Sequence, residues 1–363
     1  RHCPMVSVMA PESMVGVLAE AGSAVVSEQI PVPTIAEDEV LIKVAGSAVN
    51  RLDTLQRKGA MPVPPGVTNV LGLECSGVIV AIGDKVAELG WSVGDQAMAL
   101  VSGGGNAQYV AAPASLLMRI PRTLSLAEAG ALPETWLTAF QLLYMVGGFT
   151  AGMTVLIHAA GSGVGLAATQ LARAGGAGRI IATAGSASKL ETAMAMGASH
   201  GINRHDNDGK WAAQVREVTD DRGVDLILDC IGASYWEQNA EAAALDSTWV
   251  LYGTMGGAAP EGPFLRGLMK KRIRLCATTL RTRPISYKAK LVKRFSEEAL
   301  PGFEAPLDGK DPFRVIIDKA FPLSEIQAAH DYIERNASTG KISIQVDTDQ
   351  LGAPASAAGG TCE

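Results

Sequence analysis

Residues 155–172 read VLIHAAGSGVGLAATQLA, an apolar run that passes through a string of small residues into an amphipathic one. At the positions of a GxGxxG loop the chain has Ala160, Ser162 and Gly165, with further glycines at 161 and 163. Small side chains there let the backbone close on a pyrophosphate, and the unpaired N–H groups of a helix start meet its charge. Ala160, Ser162, Gly163, Val164 and Gly165 are therefore the expected contacts of a dinucleotide. A tight strand-to-helix turn is the plainer alternative. Strand, loop and helix nevertheless stand in the order that nucleotide binding needs, and further strand–helix units follow.

The second strand sharpens the choice of nucleotide. NAD sites generally place an acid near its end, against the adenine ribose. Here that stretch, IIATAGSASKLE, has no acid between Ile180 and Lys189, and Glu191 falls inside the next helix. Ser186 and Lys189 suit a 2′-phosphate instead, and Arg204, in HGINRHD after the third strand, approaches from the other side. Two cations and a hydroxyl reward the added charge, so NADPH is expected in preference to NADH. Any one of the three alone would be an ordinary solvated side chain; their shared place at the adenine end carries the reading. Further on, Cys230, Gly253 and Met255 follow the fourth and fifth strands and are expected to line the nicotinamide half. Cys230 ends a buried strand with no histidine predicted beside it, so it is not read as a reactive thiol.

A second feature with chemistry in it is NVLGLECSGVIVAIG, residues 69–83, where Glu74 lies inside an apolar run. Acids are almost never buried unless paired, and Cys75 beside it raises the question of a metal. Cys75 has no credible partners nearby. The five cysteines, at 3, 75, 230, 276 and 363, include no CxxC, and an odd, scattered set is no disulfide framework. No metal site is expected. His2 and Cys3 could nominally bind one, but they read as a frayed terminus.

Composition bounds the rest. A chain of 363 residues is longer than a single core usually supports, so two domains are expected. The 37 acidic and 31 basic residues give a net charge of −6 without any basic block, which disfavours a nucleic-acid partner. No stretch reaches the roughly 18 apolar residues of a membrane span. The start, RHCPMVSVMAPES, lacks the apolar core of a signal peptide, and the cysteine usage fits a reducing, cytoplasmic compartment.

Two kinds of element must position these residues. From 14 to 133 short strand candidates, EVLIKVAGSAVN, SGVIVAIG, DQAMALV and AQYVAAP, are broken by Gly-Asp and Gly-Gly turns, and RLDTLQRKGAMPVPPG reads as charged and apolar residues giving way to turns. Helical spacing appears over 125–149, with Pro133 expected to interrupt it. Strands and helices then alternate: MTVLIHA, GVGLAATQLARAGG, RIIATAG, SKLETAMAMGA, GKWAAQVREVTD, VDLILDCIG, a helix from 234, and TWVLYGTMGG, with KRIRLCATTL as a sixth strand. That is the pattern of a parallel sheet covered on both faces. Beyond 280 come a helix, the strand FRVIIDKAFPL, a helix expected to be capped by Ser324 with Gln327 at capping-box spacing, and the strand GKISIQV. The fold class is α/β: a doubly wound Rossmann sheet plus a β-rich domain.

The strings VAGSAVNRLDTLQRKG, NVLGLECSGVI, LPETWLTAFQLL, IHAAGSGVG, TAGSASKL, LILDCIGASYWEQNA, WVLYGTMGG and AAHDYIERNASTGKI together resemble the zinc-independent quinone oxidoreductase branch of the medium-chain dehydrogenase/reductase superfamily. The likeness runs over roughly 14–346 and is nearest the p53-inducible quinone oxidoreductase type. It implies a GroES-like catalytic domain begun by 14–133, an NADPH-binding Rossmann domain over 134–280, completion of the catalytic domain by 281–346, and a flexible tail over 347–363. It implies NADPH-linked reduction of a quinone or another small electrophilic acceptor in a cleft between the domains. It also implies a homodimer joined through the free edge of the sixth strand.

Zinc-containing relatives carry a ligating Cys where this chain has Asn50 and a ligating His where it has Leu73. Neither can replace a thiolate or an imidazole, so the resemblance implies hydride transfer without zinc. A quinone is electron-poor enough to accept hydride directly, with solvent supplying the remaining proton. Asn50 is then expected to orient the nicotinamide ribose or the acceptor oxygen, Thr138 to lie near the cofactor phosphates, and Glu134 to stand at the domain crossover. Glu74 is expected to serve hydrogen bonding. Met61 occupies the place where many relatives have a tyrosine, and a thioether cannot donate the phenolic hydrogen bond. Two alternatives stay open: an enoyl or alkenal/one reductase, and an NADPH-binding structural or redox-sensing protein with little turnover.

Overall fold

The computed structural model describes residues 11–347. They fall into two compact units, one made of the chain up to Glu134 with Pro284–Glu304 and the stretch from Ile317, the other of Thr135–Arg283 with Ala305–Ile316. His2, Cys3 and the expected tail from 348 onward lie outside the described residues.

The first unit opens with β1 (Ser13–Glu20) and β2 (Ser23–Pro31), an antiparallel hairpin. Its two turn residues, Ala21 and Gly22, have φ of 48° and 79°, the left-handed pair that matches strand twist in a two-residue hairpin. Then come β3 (Glu39–Val49), α1 (Arg51–Arg57), β4 (Glu74–Ile82), β5 (Gln96–Leu100), β6 (Tyr109–Pro113), β7 (Leu117–Arg119) and α2 (Leu126–Ala129). The helix α1 was hidden in a mixed, turn-like sequence. It forms because Asn50 is extended and the Asp53 carboxylate accepts the Asn50 backbone N–H at 2.7 Å, closing the first turn. Its far side is tied to the chain's end, where Arg57 pairs with Glu334 at 3.0 Å and Arg51 donates to Ile333 O at 3.0 Å.

Pro133 does not interrupt a helix. It begins one, α3 (Pro133–Phe140), where a missing N–H leaves no bond unmade. A π-helical turn over Gln141–Val146 follows. The second unit then runs β8 (Thr154–Ile157), α4 (Gly163–Ala174), β9 (Arg179–Ala184), α5 (Ala187–Ala195), β10 (His200–Asn203), α6 (Trp211–Val218), β11 (Val224–Asp229), α7 (Trp236–Ala242), β12 (Ala243–Leu251), α8 (Phe264–Lys271) and β13 (Arg274–Ala277). The strands are all parallel, in the order β10-β9-β8-β11-β12-β13. Leu156, Ile181, Ile227, Trp211 and Trp249 fill its core. The order reverses between β8 and β11, and the carboxyl ends of strands beside such a reversal form the crevice where ligands bind in open α/β sheets.

The chain then supplies α9 (Ile285–Glu298), β14 (Ile317–Pro322), α10 (Ile326–Glu334) and β15 (Lys341–Gln345) to the first unit. Its seven-stranded sheet has the order β14-β15-β3-β4-β5-β7, with β6 also on β3. Residues Ala305–Ile316 differ from expectation by clustering with the second unit, where Phe313 packs against Trp136 at 5.1 Å between ring centroids. Ser324 does not cap α10 either; Glu325 holds that place. Gln327, which was to complete the capping box, is drawn away to accept from Ala24 N at 2.7 Å and donate to Asp331 at 2.6 Å.

Candidate active site

In the second unit, β8 delivers the chain to a bend at Ala159, whose φ is 48°. Ala160 N–H then bonds to Thr183 O at 3.0 Å, which fixes the loop to β9. Ser162 caps α4, its hydroxyl accepting from Gly165 N at 3.1 Å. That leaves the amides of Gly163 and Val164 at the helix start without an acceptor among the described residues. A Cβ on Gly165 would lie 2.6 Å from Ala159 O, and one on Gly161 would lie 2.8 Å from Lys189 Cβ. Only glycine permits this closeness, so the loop is a cradle of the size and polarity that a pyrophosphate needs.

Ser186, Lys189 and Arg204 converge at the ends of β9 and β10. Ser186 caps α5, accepting from Lys189 N at 3.4 Å, and the Lys189 stem lies over Gly161. Arg204 follows β10, its backbone held by Ala184 O at 2.9 Å. Its guanidinium lies over Gly185, where a Cβ would come 2.9 Å from Nε. Sequence reasoning missed Tyr235. Its ring stacks edge-on to His158 at 4.9 Å. Burial pushes the Tyr235 hydroxyl above the usual tyrosine range while Arg204 opposes the shift. Cys230 and Gly253 meet at the ends of β11 and β12, where a Gly253 Cβ would be 3.0 Å from Cys230 O. Met255 N–H bonds to the same carbonyl at 3.1 Å, and its side chain is exposed.

In the first unit the buried carboxylate of Glu74 is the centre of a charged cluster. Oε1 accepts from Asn50 Nδ2 and from Lys341 Nζ, both at 2.8 Å, and Oε2 accepts from the Glu134 backbone N–H at 2.9 Å. Lys341 also donates to Asn50 Oδ1 at 2.7 Å and to Val49 O at 3.2 Å. Both ends of the Asn50 amide are thereby held, with one N–H left over. Antiparallel pairing of Ile342 with Val49 is what carries Lys341 to this spot. Asp53 lies beneath, accepting from Asn50 N at 2.7 Å and Gly72 N at 3.2 Å. Burial outweighs those bonds and Lys341, and raises its carboxyl to about 6.

Not every expected residue joins a site. Met61 is half-buried and lines a depression of about 490 Å³ with Leu18, Gln56, Pro62, Val63 and Asn69, away from the Glu74 bonds. Thr138 is half-buried on α3. Lys341 was missed altogether; a lone cation opening the apolar strand KISIQ was the available signal.

These arrangements can be set beside known proteins. Residues 36–122 match the model of the alcohol dehydrogenase GroES-like domain and 163–297 that of the zinc-binding dehydrogenase. A probable quinone oxidoreductase of Schizosaccharomyces pombe is 31% identical over 327 residues, 90% of this chain and 93% of that one. The chain belongs to the medium-chain dehydrogenase/reductase superfamily. Among solved superfamily structures, the native mycobacterial Rv1454c complexed with NADPH has a TM-score of 0.79 and 26% identity, over 92% of this chain and 100% of that one. The CurK enoyl reductase has a TM-score of 0.78 and 26% identity, over 93% and 100%.

One family model carries zinc in its description, and the donors here do not fit that metal. The Glu74 carboxylate is engaged by Lys341, Asn50 and Glu134 N–H. Leu73 is a buried hydrocarbon. Cys75 is fully buried, and burial, with Glu74 next to it, pushes its thiol up to about 12. Among the described residues no group of three or more His, Cys, Asp or Glu could hold a metal ion. The nucleotide cradle does fit: small residues at 160–165, two free helix-start amides and two cations beside Ser186. Also among the described residues, no helix is long and apolar enough to cross a membrane.

Proposed function

We propose that this protein is an NADPH-dependent reductase of quinones that works without zinc, of the p53-inducible quinone oxidoreductase type. The observation that carries the reading is the joint presence of two things in one chain. One is a nucleotide loop flanked by Ser186, Lys189 and Arg204. The other is a carboxylate cluster in which Lys341, not a metal, neutralises Glu74. The identity to a probable quinone oxidoreductase and the likeness to an NADPH complex support it.

NADPH, when bound, supplies a hydride; the chain's own residues bind and orient. Gly163 and Val164 amides take the pyrophosphate, with Ala160, Ser162 and Gly165 shaping the loop. Ser186, Lys189 and Arg204 take the 2′-phosphate. Cys230, Gly253 and Met255 line the nicotinamide end, and Thr138 stands near the phosphates. The spare N–H of Asn50 orients the acceptor oxygen; its rotamer is locked by Glu74 and Lys341, so orientation costs little ordering. Met61 gives the acceptor an apolar wall. The working form is a homodimer, a reading supported by β13 being an edge strand among the described residues, with Leu275 exposed on it. The free thiols Cys75, Cys230 and Cys276 fit a cytoplasmic setting.

The CurK likeness favours a second reading, reduction of a conjugated C=C. Steady-state rates with 1,2-naphthoquinone and with a short 2-alkenal separate the two. The quinone is expected to give the higher kcat/KM. A clear preference for the alkenal overturns the quinone reading, and tight NADPH binding without oxidation by either overturns both.

A further inference from the structure

A chain of buried polar side chains crosses the sheet of the second unit at the carboxyl ends of its strands. Thr183 of β9, His158 just after β8, Asn239 of α7 and Asp229 at the end of β11 are each at most 1% exposed, so their polar atoms must be met inside the fold. Each link is a short hydrogen bond: Thr183 Oγ1 to His158 Nδ1 at 2.8 Å, His158 Nε2 to Asn239 Oδ1 at 2.7 Å, and Asn239 Nδ2 to Asp229 Oδ2 at 3.1 Å. The direction of donation follows from the last member. Asp229 Oδ2 also accepts from Trp249 Nε1 at 3.0 Å, and Oδ1 accepts from the backbone N–H groups of Ile231 at 2.7 Å and Gly232 at 3.1 Å. These N–H groups can only donate, so the Asn239 amide turns its NH2 to the carboxylate and its oxygen to His158. His158 must then carry its proton on Nε2. Burial holds the ring below the usual histidine range, against the opposing pull of Asp229 and Asn239. Nδ1 is thereby left to accept from the Thr183 hydroxyl.

Both ends of this chain reach a loop of the nucleotide site. Thr183 O accepts the Ala160 N–H at 3.0 Å, and His158 directly precedes the bend at Ala159. At the other end, Asp229 shapes the turn through Ile231 and Gly232, whose φ is 79°, next to Cys230. Desolvating so many polar groups carries a cost that an apolar core avoids, while a fully satisfied buried network fixes one arrangement. We propose that Asp229, Asn239, His158 and Thr183 are positioning residues that lock the loop after β8 to the loop after β11. The adenylate end of NADPH then meets a preformed cradle whose shape depends on a carboxylate at the nicotinamide end. The inference rests on the nucleotide site assigned above. The four side chains act through the backbone of Ala160, Ile231 and Gly232 and do not touch the nucleotide themselves.

Wild-type protein supplies the first readout. With isotope-labelled histidine, the ring resonances assigned to His158 by their loss in His158→Gln are expected to show one neutral tautomer, protonated at Nε2. A ring protonated at Nδ1 alone, or at both nitrogens, overturns the proposal. The second readout uses adenosine 2′,5′-bisphosphate, which carries the adenylate end of NADPH and lacks the nicotinamide. Thr183→Val keeps the shape of a strand residue and removes the hydroxyl. Asp229→Asn keeps the size of the side chain and turns a donor toward Asn239 and Trp249. Each is expected to raise the Kd for this half-ligand about 10-fold in titration calorimetry. Together they are expected to raise it about as much as one alone, because they cut the same chain. The exchanged pair, Asp229→Asn with Asn239→Asp, lets that link donate in reverse while His158 still finds an acceptor, and is expected to recover part of the affinity. An unchanged Kd in Thr183→Val, effects of the two variants that multiply, or no recovery in the exchanged pair overturns the proposal. Where Asp229→Asn does not fold, Thr183→Val and the His158 tautomer decide alone. Failure of the nucleotide reading shows already in wild type: adenosine 2′,5′-bisphosphate and NADPH do not compete, and the positioning role falls with the site.

Discussion

Lys341 is 5% exposed against a fully buried Glu74, whereas Arg204 stands exposed over Gly185. Both cations serve a site, but on opposite terms. In the first unit Glu74, Asp53 and Lys341 are sealed away from water, so each must find its partners inside the fold. Where burial outweighs the partners found, as at Asp53, the carboxyl keeps its proton to higher pH. In the second unit, the half-buried Lys189 and the exposed Arg204 stand at the edge of a glycine-rich loop. In the proposed reading they meet a ligand that brings its own negative charge.

The strongest way to break that contrast is to remove the sealed cation. Lys341→Met leaves Glu74 buried and uncompensated, and is expected to cost about 3–5 kcal/mol of stability in urea unfolding. Adding Glu74→Gln to that variant is expected to recover part of the loss. A loss below about 1 kcal/mol, the range of an exposed pair, would mean that Lys341 is no more than a surface partner. The open cations are expected to behave otherwise. Lys189→Ala with Arg204→Ala is expected to leave stability nearly unchanged, to raise the Kd for NADPH roughly 10- to 100-fold, and to alter NADH binding little. Added salt is expected to shrink the NADPH preference of wild type toward that of the variant. Equal losses for both nucleotides would contradict their place at the 2′-phosphate. The smallest effect sharpens the same line. Ser186→Ala removes a long cap hydrogen bond of 3.4 Å and is expected to cost about 0.5 kcal/mol, together with a modest rise in the Kd for NADPH alone.

The nucleotide loop was legible because everything that defines it lies within a short stretch. An apolar strand, small residues from 160 to 165 and an amphipathic helix announce one another locally, and the missing acid before Lys189 is read in the same way. The carboxylate cluster was half legible. Glu74 in an apolar run demanded a partner, but nothing nearby in sequence named it, since Lys341 lies 267 residues away. The helix α1 was obscured because its start depends on Asp53 reaching back to Asn50, in a segment whose apolar periodicity is weak. The expected box at Ser324 failed for a related reason. Gln327 had a better offer from the β2 backbone, and tertiary contacts overrode a local motif.

By itself the sequence determined the alternation of strands and helices in the second unit, the glycine loop with its cations, and the absence of a thiolate and an imidazole at Asn50 and Leu73. These are properties of residue type and short spacing, which the chain carries whether or not it is folded. The tertiary structure alone decided which charges meet. The register of β15 on β3 sets Lys341 against Glu74, the start of α3 binds its backbone to the same carboxylate, and burial then raises Asp53. Distance and desolvation set those interactions, and neither exists until strands far apart in the chain have paired.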